Sequence, residues 1–152
     1  IVLIICGSGS LVNEYFRLID KHGLTKNVKI IKFFNDIPKL KYIYEIADLI
    51  VVPSIVTKGG DVEGLPVVLM ESMYFGNATL SSFQSNAGEI INDGKNGFLF
   101  DSDTNFELSQ KIKYIFKRKD NLMNIKVEAE KDSKKYLLES VNYQFYKHLF
   151  NN

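Results

Sequence analysis

Two glutamates in the stretch GGDVEGLPVVLMES, residues 59–72, have the residue type and the spacing to bind a polar ligand. Glu63 precedes a Gly-Leu-Pro step, and Glu71 follows a run of apolar side chains. A carboxylate accepts charge-assisted hydrogen bonds from hydroxyl groups, and these are stronger than bonds between neutral groups. On a helix that starts in this stretch, Glu71 lies about two turns beyond Glu63. The pair is therefore suited to hold hydroxyl groups at two separate points of one ligand.

The turn between the two glutamates favours an anion. Gly64 has no side chain to obstruct a ligand, and Pro66 suits a first helical turn because it has no N–H group to leave unpaired. The free N–H groups of Leu65 and Val67, together with the positive end of the helix dipole, attract phosphate. A ligand that presents hydroxyls, then phosphate, then hydroxyls again is a nucleotide sugar.

A purely structural interpretation competes with this one. Acidic residues are favoured at helix N-termini by the dipole, which would account for Glu63. Glu71 would then be a solvated residue on an amphipathic helix. From the spacing alone, this structural interpretation is the better of the two.

Apolar runs of strand length alternate with helical patterns along the first hundred residues. We predict strands at IVLIIC (1–6), NVKIIKF (27–33), LIVVPS (49–54), ATLSS (78–82) and FLF (98–100). We predict helices at 11–23, 36–48, 65–76 and 87–92, and a helical chain from residue 103 onward. Strands that are apolar on both faces indicate a parallel sheet. The expected fold class is α/β, a Rossmann-like doubly wound parallel sheet of about five strands with helices on both faces and a helical C-terminus.

Local signals sharpen several of these elements. Leu11, Tyr15, Leu18 and Ile19 share one face of the first helix, which is therefore predicted to be amphipathic. Gly23 and Gly76 are expected to end the first and third helices, and DGKNG, residues 93–97, is expected to form a turn. The loop from Ser54 to Glu63 leaves the third strand at the carboxyl edge of the sheet, where ligands bind in open parallel sheets.

Composition narrows the class of protein. A chain of 152 residues with 45% hydrophobic and 24% charged residues has the size and composition of one compact domain. Lysine and arginine total 19 against 18 acidic residues, so no basic excess points to nucleic acid. Cys6 is the single cysteine; we expect a buried thiol and a reducing, cytoplasmic location. The IVLIIC run is too short for a membrane span.

Four motifs in order carry a resemblance to a known family. PS at 53–54, EGLPVVLME at 63–71, AGEII at 87–91 and DGKNGFLF at 93–100 together resemble the donor-binding, C-terminal half of glycosyltransferase family 4. Members are retaining enzymes of the GT-B fold, and the stretch around Glu63 is similar to bacterial exopolysaccharide and colanic-acid-type members. The similarity extends over roughly residues 1–118. It implies transfer of a hexose from a nucleotide diphosphate sugar to a glycan or lipid-linked acceptor in bacterial surface polysaccharide biosynthesis.

The resemblance also assigns roles to positions. It implies that Glu63 contacts the donor hexose at the catalytic centre, that the backbone of residues 64–67 surrounds the diphosphate, and that Glu71 holds the ribose hydroxyls. Pro66 has no N–H group, so Leu65 and Val67 would donate. The base is expected against Phe34 and Asn35, although FFND departs from the glycine that is usual in the family. The donor is a UDP-sugar or a GDP-sugar, and neither a metal nor another cofactor is expected.

Some of the family's pattern has no counterpart in this chain. An arginine and a lysine that face the diphosphate are missing, as is the acceptor-binding half. We therefore expect residues 1–152 to be an N-terminally truncated donor domain that is inactive alone, with the terminal segment 120–152 packing toward an absent acceptor domain. Two alternatives stay open: a non-catalytic nucleotide-sugar-binding module, and a nucleotide-sugar 2-epimerase of the same fold.

One basic segment bears on partners. KIKYIFKRK, residues 111–119, lies on a predicted amphipathic helix and is a candidate for peripheral contact with the cytoplasmic face of the inner membrane. A solvated helix face is the better interpretation of the same pattern.

Overall fold

The computed structural model describes residues 1–32, 37–56, 59–60, 64–101 and 104–139. The chain divides into two compact units, residues 1–40 and 41–152, and the boundary falls within the second helix. In these residues the strands are β1 (Leu3–Cys6), β2 (Val28–Ile31), β3 (Ile50–Val52), β4 (Thr79–Ser82) and β5 (Phe98–Phe100). The α-helices of the same residues are α1 (Val12–Lys21), α2 (Ile37–Ile46), α3 (Val67–Tyr74), α4 (Asn105–Lys117) and α5 (Leu122–Glu139). Single turns of 3₁₀ helix lie at Phe83–Ser85, Ala87–Glu89 and Lys119–Asn121.

The first unit contains β1, α1 and β2, and the first residues of α2. The two strands pair in parallel, with Leu3 opposite Val28 and Cys6 opposite Ile31. Gly23 follows the C-cap of α1 with a φ of 66°, and the N–H of Leu24 donates to the carbonyl of Ile19 at 2.8 Å. This left-handed glycine and its hydrogen bond form a Schellman motif. The predicted end of the first helix is therefore confirmed.

The apolar face of α1 is largely exposed. Leu11, Tyr15 and Leu18 are exposed, and Ile19 is half-buried. Among the described residues of this unit, the sheet that can cover the helix has two strands, and two strands shield little apolar surface. Periodicity therefore gave the correct element without giving its burial.

The predicted burial of the Cys6 thiol is also wrong. Cys6 is exposed. It is the last residue of β1, and it lines a small cavity of about 300 Å³ together with residues 7–10 and Tyr15. A position at the end of the strand, rather than in its middle, leaves the thiol accessible.

The second unit has a parallel sheet with the strand order β3-β4-β5. On one face, Leu99 packs with Leu69 and Met73 of α3 and with Ala129 of α5. On the other face, Leu80, Phe98 and Phe100 pack with Ile115 of α4 and Ile125 of α5. Helices thus cover both faces of this sheet, as predicted for a doubly wound α/β fold.

The turn at residues 93–97 anchors β5. One carboxylate oxygen of Asp93 accepts the N–H of Leu99 at 2.8 Å, and Lys111 of α4 donates to both oxygens at 2.9 and 3.0 Å. The Asn96 side chain accepts the N–H of Asn92 at 2.7 Å and donates to Asp132 of α5 at 2.9 Å. The predicted turn is confirmed, and its polar residues fix the edge strand against two helices.

Two other boundaries differ from prediction. The helix predicted at 87–92 is a single 3₁₀ turn, Ala87–Glu89, because Ile90 and Ile91 leave it to enter the core. Of the predicted C-terminal helix, α5 is described to Glu139, and Tyr136 packs against the core cluster that contains Leu69. The interdomain role predicted for residues 120–152 stays a prediction, and residues 140–152 lie outside the described residues.

Candidate functional site

The carboxyl ends of β3, β4 and β5 meet at one edge of the second unit's sheet, at Val52, Ser82 and Phe100. The chain leaves β3 there and returns at α3. This is the edge at which the sequence predicts a ligand, because ligands of open parallel sheets bind outside the strand ends.

Serine hydroxyls hold the start of the loop after β3. Ser82 donates to the carbonyl of Ser54 at 2.6 Å, and Ser81 donates to that of Val52 at 3.4 Å. The hydroxyl of Ser85 lies 3.1 Å from that of Ser81 and donates to the carbonyl of Ser82 at 2.9 Å. Ser81, Ser82 and Ser85 are buried. Sequence reasoning missed them, although their polarity within the apolar surroundings of β4 was a usable signal.

Helix α3 begins two residues later than predicted. Pro66 is the N-cap residue, with a ψ of 131°, and Val67 is the first helical residue. The N–H of Leu69 donates to the Pro66 carbonyl at 3.0 Å. Val67 and Val68 come earlier in the helix, where an N–H group has no carbonyl of the same helix to which it can donate. Val67 and Val68 are both exposed. Val68 is thus a candidate N–H donor that the sequence did not suggest.

The other predicted residues of this turn differ in their surroundings. Gly64 is exposed, and a methyl group added there would meet no atom within 4 Å. Leu65 is half-buried against the core, and Pro66 is buried. Glu63, Phe34 and Asn35 lie outside the described residues, so their roles stay predictions.

Glu71 is a buried residue with 8% of its surface exposed, which excludes the solvated position that the structural interpretation required. The hydroxyl of Tyr44, from α2, donates to Oε2 of Glu71 at 2.7 Å. Burial raises the pKa of the Glu71 carboxyl, and the hydrogen bond from Tyr44 opposes that rise. A buried carboxyl in this position can accept hydrogen bonds from ligand hydroxyls while a fixed phenol occupies one of its lone pairs.

The Tyr44 ring is itself held in place. Tyr44 as a residue is 4% exposed, and its ring stacks on that of Phe75 with centroids 5.0 Å apart and planes 13° from parallel. Tyr44 and Glu71 are 27 positions apart in the chain, and no local pattern connects them. The sequence therefore identifies Glu71 as a candidate site residue but does not identify Tyr44 as its hydrogen-bond partner.

A groove of about 750 Å³ lies elsewhere in the second unit, between β5 and α4. Its lining includes Phe83, Phe98, Phe106, Lys111, Tyr114 and Arg118, and none of the α3 residues. Within the described ranges, no group of three or more His, Cys, Asp or Glu side chains is placed to hold a metal ion. Within the same ranges, no helix combines the length and apolar character needed to cross a bilayer.

Comparison with known proteins identifies relatives. A family model described as "Glycosyl transferases group 1" matches residues 1–132. WcaL of Salmonella typhimurium, assigned as a colanic acid biosynthesis glycosyltransferase, is 33% identical over 95 residues, which are 62% of this chain and 23% of WcaL. The GalNAc-alpha-(1->4)-GalNAc-alpha-(1->3)-diNAcBac-PP-undecaprenol alpha-1,4-N-acetyl-D-galactosaminyltransferase of Campylobacter jejuni is 29% identical over 113 residues, 74% of this chain and 28% of that protein.

Solved structures agree on the fold. The Anabaena protein Alr3699/HepE in complex with UDP superposes with a TM-score of 0.77 at 23% identity, over 100% of this chain and 41% of that one. The same protein in complex with UDP-glucose gives a TM-score of 0.76 at 24% identity, over 99% and 41%. The chain spans about a quarter of the length of the curated relatives described above. The predicted resemblance, including its colanic-acid-type branch, and the predicted fold class are confirmed.

Proposed function

This chain belongs to the glycosyl transferases group 1 family, and from that premise we propose that it is the donor-binding domain of a retaining hexosyltransferase. The observation that carries the proposal is the buried carboxyl of Glu71, held by Tyr44 one turn inside a helix whose first two residues are exposed. Glu71 lies about 6 Å along the helix axis from Val67, a separation that suits adjacent ribose and phosphate groups.

Each part of the site then has a role in the proposal. The N–H groups of Val67 and Val68, with Leu65 as a further donor, bind the diphosphate at the positive end of the helix dipole. Glu71 accepts from the ribose hydroxyls, and Glu63 accepts from hydroxyls of the hexose. Phe34 and Asn35 face the base. Because HepE has been crystallised with UDP and with UDP-glucose, we propose a UDP-sugar as donor, with a GDP-sugar as the competing outcome.

N–H groups that face the leaving nucleoside diphosphate promote sugar transfer by stabilising the negative charge that develops on it. We propose that unpaired N–H groups supply part of this stabilisation and that no metal is required. Residues outside this chain would complete it, so the chain alone is proposed to bind donor without transferring the sugar. The names of the relatives support a glycan or lipid-linked acceptor of surface polysaccharide assembly.

Substitution in the full-length protein tests the proposal. Glu63→Ala and Glu71→Gln should each lower the rate of hexose transfer from a nucleotide sugar by at least about tenfold. Glu45→Gln is the matched control, because Glu45 is an exposed glutamate of α2 that pairs with Lys41 at 3.8 Å. Wild-type rates in both site variants would refute the assignment. Donor binding without transfer would indicate a binding module, and release of an epimerised nucleotide sugar would indicate an epimerase.

We also propose a cytoplasmic domain that contacts the membrane peripherally through α4. Its outer face carries the exposed residues Phe106, Lys113, Tyr114 and Lys117, an aromatic and cationic combination that suits an anionic lipid surface. Sedimentation with phosphatidylglycerol vesicles tests this. Wild-type protein should bind these vesicles and should not bind neutral phosphatidylcholine vesicles. The double variant Lys113→Glu and Lys117→Glu should lose the binding to phosphatidylglycerol. No binding of the wild type to either vesicle would leave α4 as a solvated face.

A further inference from the structure

Tyr44 has a geometry that a simple core tyrosine does not need. It reaches from α2 to α3, the whole residue is 4% exposed, and its hydroxyl is directed at one oxygen of Glu71 at 2.7 Å. Stacking on Phe75, the residue after α3, limits the ring to one position. The Tyr44 hydroxyl is therefore held in position by its contact with Glu71 and by the stacking of its ring on Phe75.

Stability alone gives no reason for a carboxyl group at position 71. The neighbouring residues Leu69, Ser72 and Met73 are fully buried, and an apolar side chain would fill the same space without the cost of dehydrating a carboxylate. The hydrogen bond from Tyr44 offsets part of that cost and keeps the ionised form accessible. A carboxyl kept in a buried place by a dedicated donor is better explained by a ligand than by packing.

Fixing this carboxyl in advance has a consequence for binding. A free glutamate populates several rotamers, and a ligand that selects one of them loses affinity to the ordering. With Tyr44 bound to Oε2, the carboxyl plane is set before a ligand arrives, and its remaining lone pairs have defined directions. Removing the Tyr44 hydroxyl would therefore weaken the binding of those ligand groups that Glu71 contacts and of no others.

We propose that Tyr44 is a positioning residue that orients Glu71 toward the ribose hydroxyls and thereby sets the preference of the site for a ribonucleotide donor. This inference rests on the proposed function, because it needs Glu71 to face the ribose. It adds a residue that touches no part of the donor and acts through Glu71.

Calorimetric titration of the full-length protein with UDP and with 2′,3′-dideoxy-UDP tests the inference. Tyr44→Phe keeps the ring and removes the hydroxyl, so UDP should bind about tenfold more weakly while dideoxy-UDP binds as it does to the wild type. Tyr42→Phe is the matched control, since Tyr42 is an exposed tyrosine of the same helix. In the Glu71→Gln background, Tyr44→Phe should cause little additional loss, because both residues act on the same hydroxyls.

The outcomes separate this inference from the proposed function. Equal weakening of both nucleotides by Tyr44→Phe, or no weakening of either, would overturn the positioning role. A wild-type protein that binds both nucleotides equally, or neither, would instead overturn the assignment of Glu71 to the ribose, and the inference with it. If Tyr44→Phe fails to fold, Phe75→Leu removes the stacking partner and should lower the UDP preference in the same direction. An unchanged preference there would contradict the inference.

Discussion

The two units of the chain are built from the same β-α pattern but bury their apolar side chains to different extents. In residues 1–40, α1 has no buried residue, although its sequence is amphipathic. In residues 41–152, Leu69, Met73, Leu80, Ile115 and Ile125 are almost completely buried around a three-stranded sheet. Since burial needs opposing surfaces, a sheet covered on both faces gives a core that a two-stranded sheet does not. The candidate site, with its buried Glu71, belongs to the unit that has this core.

The largest effect that sharpens the comparison comes from core truncation. Leu69→Ala in the second unit should lower the free energy of unfolding by about 2–5 kcal/mol, because it leaves a cavity beside Met73 and Leu99. Leu18→Ala in α1 should cost no more than about 0.5 kcal/mol, because Leu18 is exposed. Urea denaturation followed by circular dichroism measures both. Equal losses would mean that α1 is covered in solution and would break the comparison.

A smaller effect is expected at the turn that anchors β5. Asp93→Ala removes the acceptor of the Leu99 N–H and the partner of Lys111, and should cost about 1–2 kcal/mol. Asp93→Asn retains an oxygen for the N–H while losing the charge, so it should recover most of that loss. If Asp93→Asn lowers the free energy of unfolding as much as Asp93→Ala does, the ion pair with Lys111 contributes more than the hydrogen bond from the Leu99 N–H.

The pH dependence of stability reports on Glu71 directly. Its pKa is raised in the folded state, so its contribution is fully present below its unfolded pKa and is lost as pH rises through the folded pKa. Wild-type protein should therefore lose stability relative to Glu71→Gln as pH increases from about 4 to neutrality. Unfolding midpoints of both proteins, measured across that range, give the difference. A difference that stays constant with pH would mean that Glu71 is not buried in solution.

The smallest effect is expected at Asp132, where α5 meets the turn. Hydrogen bonding to Lys135 is the main cause that lowers the pKa of Asp132, and Asn96 adds to it. Its contribution is present above the unfolded pKa and is lost as pH falls through the folded one. Because the Lys135 partner is at the surface, Asp132→Asn should cost less than about 1 kcal/mol at neutral pH. A larger loss in chemical denaturation would show that the contact with Asn96 is the more important one.

Sequence reasoning succeeded where the signal is local. Gly23 and Gly76 end their helices with φ values of 66° and 65°, because glycine adopts the left-handed conformation without steric cost. The alternation of strands and helices likewise predicted the parallel pairings. These features depend on a few consecutive residues, which the sequence displays directly.

The predictions that failed, and the features that were missed, depend on residues distant in the chain. The exposure of Leu18 and Cys6 is decided by which surfaces lie opposite them. The bond from Tyr44 to Glu71 joins two helices 27 positions apart, so no periodic pattern reveals it. Helix α3 starts at Val67 rather than Leu65, with Pro66 in an extended conformation, so its first two N–H groups are those of Val67 and Val68.

A crystal structure of the full-length protein with UDP-glucose would show whether the nucleotide binds at the start of α3. We predict phosphate oxygens within hydrogen-bonding distance, about 2.7–3.2 Å, of the N–H groups of Val67 and Val68. We also predict ribose hydroxyls on the Glu71 carboxyl, with the bond from Tyr44 retained. A nucleotide bound in the groove between β5 and α4, or one that leaves Glu71 without a ligand contact, would contradict this binding mode.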